Sequence, residues 1–347
     1  MVSFESDYNN GCHPLVMQHL TETNHESSLS YGFDLWSERA RLKIREACEC
    51  PDADVFFLVG GTQTNATVID ATLRSYEGVV SVESGHINVH ESGAIEATGH
   101  KVLTLPDHQG KMDARELEAY LQGFHTDEAA GHMVRPGMVY ITQPTELGTI
   151  YSAQELVEIH HVCQQYHIPL YVDGARLGYA LASNTNDVSL PFLAKHCDAF
   201  YIGGTKVGAL CGEAVVFPHR NADPHFFTIV KQHGALLAKS RLTGVQFDAL
   251  FTDSLYLRIS RNAILWAERV KEIFRLKGYP LLLDSPTNQI FVILSDTEAA
   301  RLRKKVRFEK WCPKDEKRSV YRFVTSWATT ETDIQTLESI VNEKQEE

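Results

Sequence analysis

From residue 54 onward, short runs rich in β-branched and aromatic residues alternate with helical patterns. The runs are "DVFFLV", "GVVSVES", "KVLTL", "MVYITQP", "PLYVDGAR", "DAFYIGGTK" and "GEAVVFP". Strands this apolar on both faces, separated by helices, predict a mostly parallel sheet covered on two sides. The connecting stretches carry helix starts. "MDARELEAYLQ" opens with Asp113 and has Glu116 three positions on, and Ser152 to Glu155 repeats that capping-box spacing ahead of a helix running to about His167. In open α/β sheets a ligand binds beyond the carboxyl ends of the strands, so the loops after those ends are where a site is expected.

The pattern changes after about residue 246. "VQFDALFTDSLYLRISRNAILWAERVKEIFRLKG" reads as one long helical segment ending at Gly278, followed by "QIFVIL", "SVYRFVTSW" and a final amphipathic helix from about Thr332. The expected organisation is an N-terminal segment with a large α/β domain over 1–245, then a connecting helix and a smaller C-terminal α+β domain over 246–347. A chain of 347 residues is long enough for both cores.

Bulk properties exclude several functions. The net charge is −12, and the one basic cluster, Arg301, Arg303, Lys304, Lys305 and Arg307, is too narrow for a nucleic-acid footprint. The opening "MVSFESDYNNGCHP" has no basic segment before an apolar core, and no apolar run reaches membrane length, which predicts a soluble cytoplasmic protein. Seven cysteines without a CxxC pair suit reduced thiols in a reducing compartment. Among the 16 histidines, His160-His161 point to different helix faces, and His86 and His90 are suitably spaced only if helical. No metal site is expected.

Four strand ends carry unusual chemistry. Gly60-Gly61-Thr62-Gln63 leads straight into a helix, offering backbone N–H groups and a hydroxyl to an anion. His86 follows the next strand and suits a surface position, a general base or a flat ring against a planar ligand. Asp173 closes an apolar strand, a costly place for a carboxylate unless a cation meets it, and an internal pair with Arg176 explains it equally well. Lys206 stands in the apolar, glycine-rich "FYIGGTKVGAL". Together these four make a constellation that pyridoxal 5'-phosphate requires. Its aldehyde forms a Schiff base with a partly desolvated lysine, its pyridine nitrogen needs a buried carboxylate, and its phosphate needs backbone donors. A nucleotide-binding dehydrogenase would want GxGxxG after the first strand, which "GGTQTN" does not supply.

At these residues the chain resembles the L-threonine aldolases of the aromatic amino acid β-eliminating lyase group. The matching segments are "FESDYNNGCHPLVMQHL", "FLVGGTQTNATVI", "ESGHINVHESGAI", "LYVDGARLG", "YIGGTKVGAL" and "YRFVTSWATT", in the family's order across nearly the whole chain. The resemblance implies the fold-type-I, pyridoxal-phosphate-dependent transferase-like fold, with a mostly parallel seven-stranded sheet in the large domain. It implies Lys206 as covalent anchor, Asp173 at the pyridine nitrogen, His86 on the ring, and Gly61 and Thr62 on the phosphate. Arg176 and Arg322 would bind the substrate carboxylate, with Ser6 beside them, which suits a bidentate guanidinium. Family members are homotetramers with shared sites, so Lys239 or Lys231 would reach a neighbour's phosphate.

One stretch departs from the family. Many threonine aldolases carry Asn-Thr-His-Asn-Gly where this chain reads Gln143-Pro144-Thr145-Glu146-Leu147-Gly148, with Glu146 near the histidine's place. The expected reaction is cleavage of L-threonine, L-allo-threonine or a related β-hydroxy-α-amino acid to glycine and an aldehyde. His86, Glu146 or a held water would take the hydroxyl proton. The alternatives are β-elimination and cleavage of a bulkier substrate such as phenylserine.

Overall fold

The computed structural model describes residues 1–343. Its strands in chain order are β1 (Val2–Ser3), β2 (Asp54–Leu58), β3 (Glu77–Val82), β4 (Val102–Leu105), β5 (Arg135–Thr142), β6 (Leu170–Asp173), β7 (Ala199–Gly203), β8 (Glu213–Phe217), β9 (Gln289–Ser295), β10 (Val306–Arg307), β11 (Glu309–Pro313) and β12 (Arg318–Val324). A seven-stranded sheet has the order β2-β8-β7-β6-β5-β3-β4. Its four pairings from β7 through β6, β5 and β3 to β4 are parallel. At the other edge β8 runs antiparallel to both β7 and β2. This is the mostly parallel α/β arrangement expected from the doubly apolar strands.

Alternation along each strand sends side chains to opposite faces. On β5, Val139 and Ile141 join one buried cluster, while Met138 and Tyr140 join the cluster on the other face. The Ser152 capping box forms completely: its hydroxyl accepts the Glu155 N–H while the Glu155 carboxylate accepts the Ser152 N–H. At Asp113 only half forms, the Asp113 carboxylate taking the N–H groups of Arg115 and Glu116.

The long segment after residue 245 is two helices, Arg241–Leu250 and Leu255–Leu276. The break has a local cause. Asp253 and Ser254 take left-handed φ values of 49° and 54°, which short polar side chains tolerate best. The Thr252 hydroxyl and Lys43 cap the Asp248 carbonyl at 2.6 and 3.0 Å. Beyond Leu276, β11-β12-β9 form an antiparallel sheet. The helices Leu255–Leu276 and Glu331–Asn342 pack on it around a third cluster that includes Phe274, Phe323 and Leu337.

The N-terminal strand belongs to this smaller layer. β1 pairs in parallel with β10. The Phe4 N–H donates to the Arg307 carbonyl at 2.9 Å, and its carbonyl accepts the Val324 N–H at 2.8 Å. The next few residues cross from there toward the carboxyl edge of the large sheet. Among the described residues no helix is long and apolar enough to cross a membrane.

Candidate active site

The ends of β2, β3, β5, β6 and β7 meet at one cavity, whose wall includes Gly61, Thr62, His86, Asp173, Arg176 and Lys206. Glu146 lines it too, so seven of the residues singled out in the sequence are neighbours. The helix Gly61–Thr72 starts at Gly60 without a side-chain cap, so its first N–H groups have no partner within the helix. A Cβ on Gly61 would lie only 3.2 Å from the Tyr201 hydroxyl, so the absence of a side chain keeps this corner open.

Asp173 is 3% exposed and has no ion-pair partner within 4 Å among the described residues. Neutral donors hold it: its Oδ2 accepts the Tyr140 hydroxyl at 2.6 Å and Asn65 Nδ2 at 2.9 Å, and its Oδ1 accepts the Ala175 N–H at 2.9 Å. Three donors orient the carboxylate while leaving its charge uncompensated, an arrangement suited to a cationic ligand atom. Lys206 lies two residues past the Gly203-Gly204 turn. Its Nζ makes no hydrogen bond or ion pair among the described residues, and the nearest ring over it is Tyr8 at 6.0 Å. Burial and then the nearby Arg176 push its ammonium below the usual lysine range, against the pull of Asp7, Glu146 and Asp173. That favours a neutral, nucleophilic amine.

An internal Asp173–Arg176 pair, one of the two expectations for these residues, does not form. Arg176 turns instead to Asp7, with Nε–Oδ2 at 2.6 Å and Nη2–Oδ1 at 3.1 Å. Both side chains are buried, and Asn288 Nδ2 adds a third bond to Asp7 Oδ2 at 2.9 Å. Burial alone would raise the Asp7 carboxyl, but Arg176 and then Lys206 outweigh it and hold the group below the usual carboxylate range. A carboxylate already faces Arg176 from the N-terminal segment, so Asp173 is left for other work.

His86 heads the single-turn helix His86–Val89. Its Nδ1 lies 3.0 Å from Glu146 Oε1, and its Nε2 lies 3.8 Å from Glu91 Oε1. Burial opposes a charge on His86, yet Glu146 overcomes it and raises the imidazole above its ordinary value. Glu146 sits on the loop after β5; burial would raise it, but His86, Arg176 and Lys206 hold it well below the usual carboxylate range. Glu91 shares the Asn65 amide with Asp173 through a 2.8 Å bond, and burial pushes it up to about 7. The spacing of His86 and His90 is helical, but their rings lie 5.6 Å apart and tilted, and no group of side chains able to hold a metal occurs among the described residues.

Four expected site residues stand outside the cavity wall. Arg322 is buried on β12, bonded through Nη1 to Gln289 Oε1 at 2.8 Å and through Nη2 to Glu309, with Nε left unpartnered. Its guanidinium lies 4.9 Å over the Trp311 ring, which leads through His90 to His86. Ser6 donates to Asn9 Oδ1 at 2.8 Å, next to Asp7 in the chain. Lys239 is exposed, and Lys231 sits 4.5 Å over the Tyr31 ring.

Asp7, Asn65, Tyr140, Glu91 and Glu213 also belong to this site and were not among the residues expected from the sequence. Asp7 and Glu91 fall inside the quoted segments "FESDYNNGCHP" and "ESGHINVHESGAI", but Asp7 pairs with Arg176, 169 positions away, and Glu91 bonds to Asn65, 26 positions back. Glu213 had a local signal: it is the one charge in "GEAVVFP". The uncompensated Asp173, the unpartnered amine of Lys206 and the open corner at Gly61 fit pyridoxal 5'-phosphate on structural grounds alone.

Comparison with known proteins points the same way. Residues 4–307 match the beta-eliminating lyase family. A low specificity L-threonine aldolase from Pseudomonas sp. (strain NCIMB 10558) is 30% identical over 342 residues, covering 96% of this chain and 95% of that protein. A solved Leishmania major threonine aldolase superposes with a TM-score of 0.95 at 38% identity, covering 98% of both chains. A Thermus thermophilus aspartate aminotransferase, at 13% identity and a TM-score of 0.71, shares the fold. The chain thus belongs to the threonine aldolase group of the beta-eliminating lyase family.

Proposed function

We propose that this chain cleaves the Cα–Cβ bond of L-threonine, L-allo-threonine or a related β-hydroxy-α-amino acid, releasing glycine and an aldehyde. The observation that carries the reading is the free, partly desolvated amine of Lys206 in one cavity with an uncompensated buried carboxylate, Asp173. The naming of the Pseudomonas relative supports the substrate class. Pyridoxal 5'-phosphate, when bound here, supplies the electron sink for the pair left as that bond breaks.

In this reading Lys206 is the covalent anchor, Asp173 meets the ring nitrogen, His86 lies along the ring, and Gly61 and Thr62 hold the phosphate. Arg176, kept charged and oriented by Asp7, grips the substrate carboxylate together with Arg322, with Ser6 at the side. Fixing that carboxylate determines which bond at Cα is aligned to break. Glu146, anionic beside His86, orients the imidazole to accept the β-hydroxyl proton. The same reading includes assembly as a homotetramer or dimer, in which the exposed Lys239 or Lys231 reaches a neighbour's phosphate. The free cysteines suit a reducing, cytoplasmic setting.

Borohydride reduction of the purified holoenzyme tests the anchor. The parent is expected to carry a reduced adduct on the peptide containing Lys206, and Lys206→Ala to carry none. An unchanged adduct in the variant would falsify the assignment. Acetaldehyde from threonine supports the aldol reading, benzaldehyde from phenylserine a wider pocket, and pyruvate with ammonia points to β-elimination.

A further inference from the structure

One acid in the cavity has no counter-charge and no part in the chemistry assigned above. Glu213 opens β8, whose five residues are all buried, and it lines the same cavity as Lys206. It reaches this edge because β8 runs against its neighbours: Leu58 at the end of β2 pairs with Glu213, which pairs with Gly203 at the end of β7. The first residue of β8 therefore sits where the other strands finish.

Glu213 holds the turn that carries the lysine. Its Oε2 accepts the Gly204 N–H at 3.0 Å. The Thr205 hydroxyl, whose oxygen takes the Gly212 N–H at 3.1 Å, donates its proton to the same carboxyl. The charged groups facing Glu213 are Lys206 from its own turn and Asp173 from β6. The phenols of Tyr171, Tyr201 and Tyr256 and the Cys211 thiol complete its surroundings.

Four acids act on Lys206 or share its cavity, and three are committed elsewhere. Asp7 is locked to Arg176. Glu146 is paired with His86. Asp173 is oriented by Tyr140, Asn65 and Ala175 and is assigned to the ring nitrogen in the reading above. Glu213 is likewise met only by neutral donors, and of the four it is the one that holds the turn carrying the amine.

We propose that Glu213 and Lys206 hold one proton between them, exchanged through the solvent of this cavity, making Glu213 the positioning residue that sets how readily the lysine amine becomes neutral. This builds on the reading of Lys206 as the cofactor's anchor. The ammonium gives up one proton to solvent and the carboxylate takes one from it: an N–H bond breaks, an O–H bond forms, and the result is a neutral amine and a neutral acid lining one cavity. No electrons or further reactants are involved. The two groups are tuned toward each other. Burial pushes Glu213 up to about 7, against its bonds to Thr205 and Gly204 and the attraction of Lys206. Burial and Arg176 push Lys206 down. The wide gap that normally separates an acid from an amine narrows from both sides.

The test is the pH dependence of the holoenzyme's visible absorbance. Glu213→Gln keeps an oxygen for Gly204 and Thr205 but cannot carry a negative charge. Its spectral midpoint is expected about one pH unit below the parent's, a tenfold loss in proton affinity at the lysine nitrogen, with cofactor content unchanged. Glu213→Asp, which draws the acid back by one methylene, should fall between the two. A Glu213→Gln midpoint within about 0.2 unit of the parent's overturns the proposal. A second measurement needs no variant: in cofactor-stripped parent, acetylation of Lys206 followed by peptide mass spectrometry across pH. Two coupled steps, one near neutrality, support proton sharing, and a single step in the ordinary lysine range refutes it. A colourless parent would sink the cofactor reading instead, and the acetylation profile would still decide the pairing.

Discussion

Replacing Asp7 by asparagine should expose how much the molecule relies on one long-range ion pair. Everything around the Asp7 carboxylate is a donor: Arg176 Nε and Nη2, and Asn288 Nδ2. An amide in its place presents an NH2 group to one of them in either orientation. Asn288 could turn its unpartnered Oδ1 toward that NH2, but only by giving up its 2.8 Å bond to the Thr325 carbonyl. Arg176 meanwhile stays buried without its counter-charge. Removing one partner of a buried pair costs about 3–5 kcal/mol. With an unfolding entropy of about 2.1 cal/mol/K per residue, a chain of 347 residues should melt about 4–7 °C lower. Calorimetry of parent and Asp7→Asn, both cofactor-saturated and scanned at one rate near neutral pH, measures this directly. The pH dependence has a definite sign. The folded carboxyl is held below its unfolded value, so its contribution is complete above about pH 4 and fades as pH drops through the folded value. The gap between the two melts should therefore persist from neutrality to about pH 4 and close only below it. An Asp7→Asn protein melting within about 1 °C of the parent at neutral pH refutes the account of Arg176 as a buried cation dependent on Asp7.

Two further substitutions probe other parts of the site. Glu146→Gln removes the anion that holds the His86 imidazole up, leaving burial to dominate, so the His86 pKa followed by NMR should fall and the acidic limb of the pH–rate profile should move to lower pH; an unmoved His86 would show that Glu146 does not govern it. Gly174→Ala should lose about 3 kcal/mol or fail to accumulate in soluble form, because its Cβ would lie 1.9 Å from the Tyr201 carbonyl oxygen. Gly60→Ala, with extended backbone and nothing within 4 Å of the added carbon, serves as its control and should melt like the parent.

The residues that could be read in advance are those whose chemistry clashes with their local surroundings. Asp173 and Lys206 stand at the ends of apolar strands, where a charge needs a reason, and the parallel pattern says which ends face one another. Arg176 was legible as a residue but not as a pairing, because its partner lies 169 positions away in a segment with no strand or helix signal of its own. Glu213 escaped for a topological reason. A search along the carboxyl ends of strands assumes a common direction, and β8 is reversed. Nothing within "GEAVVFP" reports that reversal; it depends on the strand's neighbours. The break at Asp253 and Ser254 was hidden differently. The segment reads as one helix, and nothing in its apolar pattern reports the two left-handed residues that divide it.

The first seven residues also carry a practical consequence. They are stitched to the smaller sheet at β1 and Phe4, and then deliver Asp7 to an arginine of the larger one. Clipping this stretch by proteolysis, or prising it loose with a bulky fusion, would amount to catalytic-site surgery carried out from the outside of the molecule.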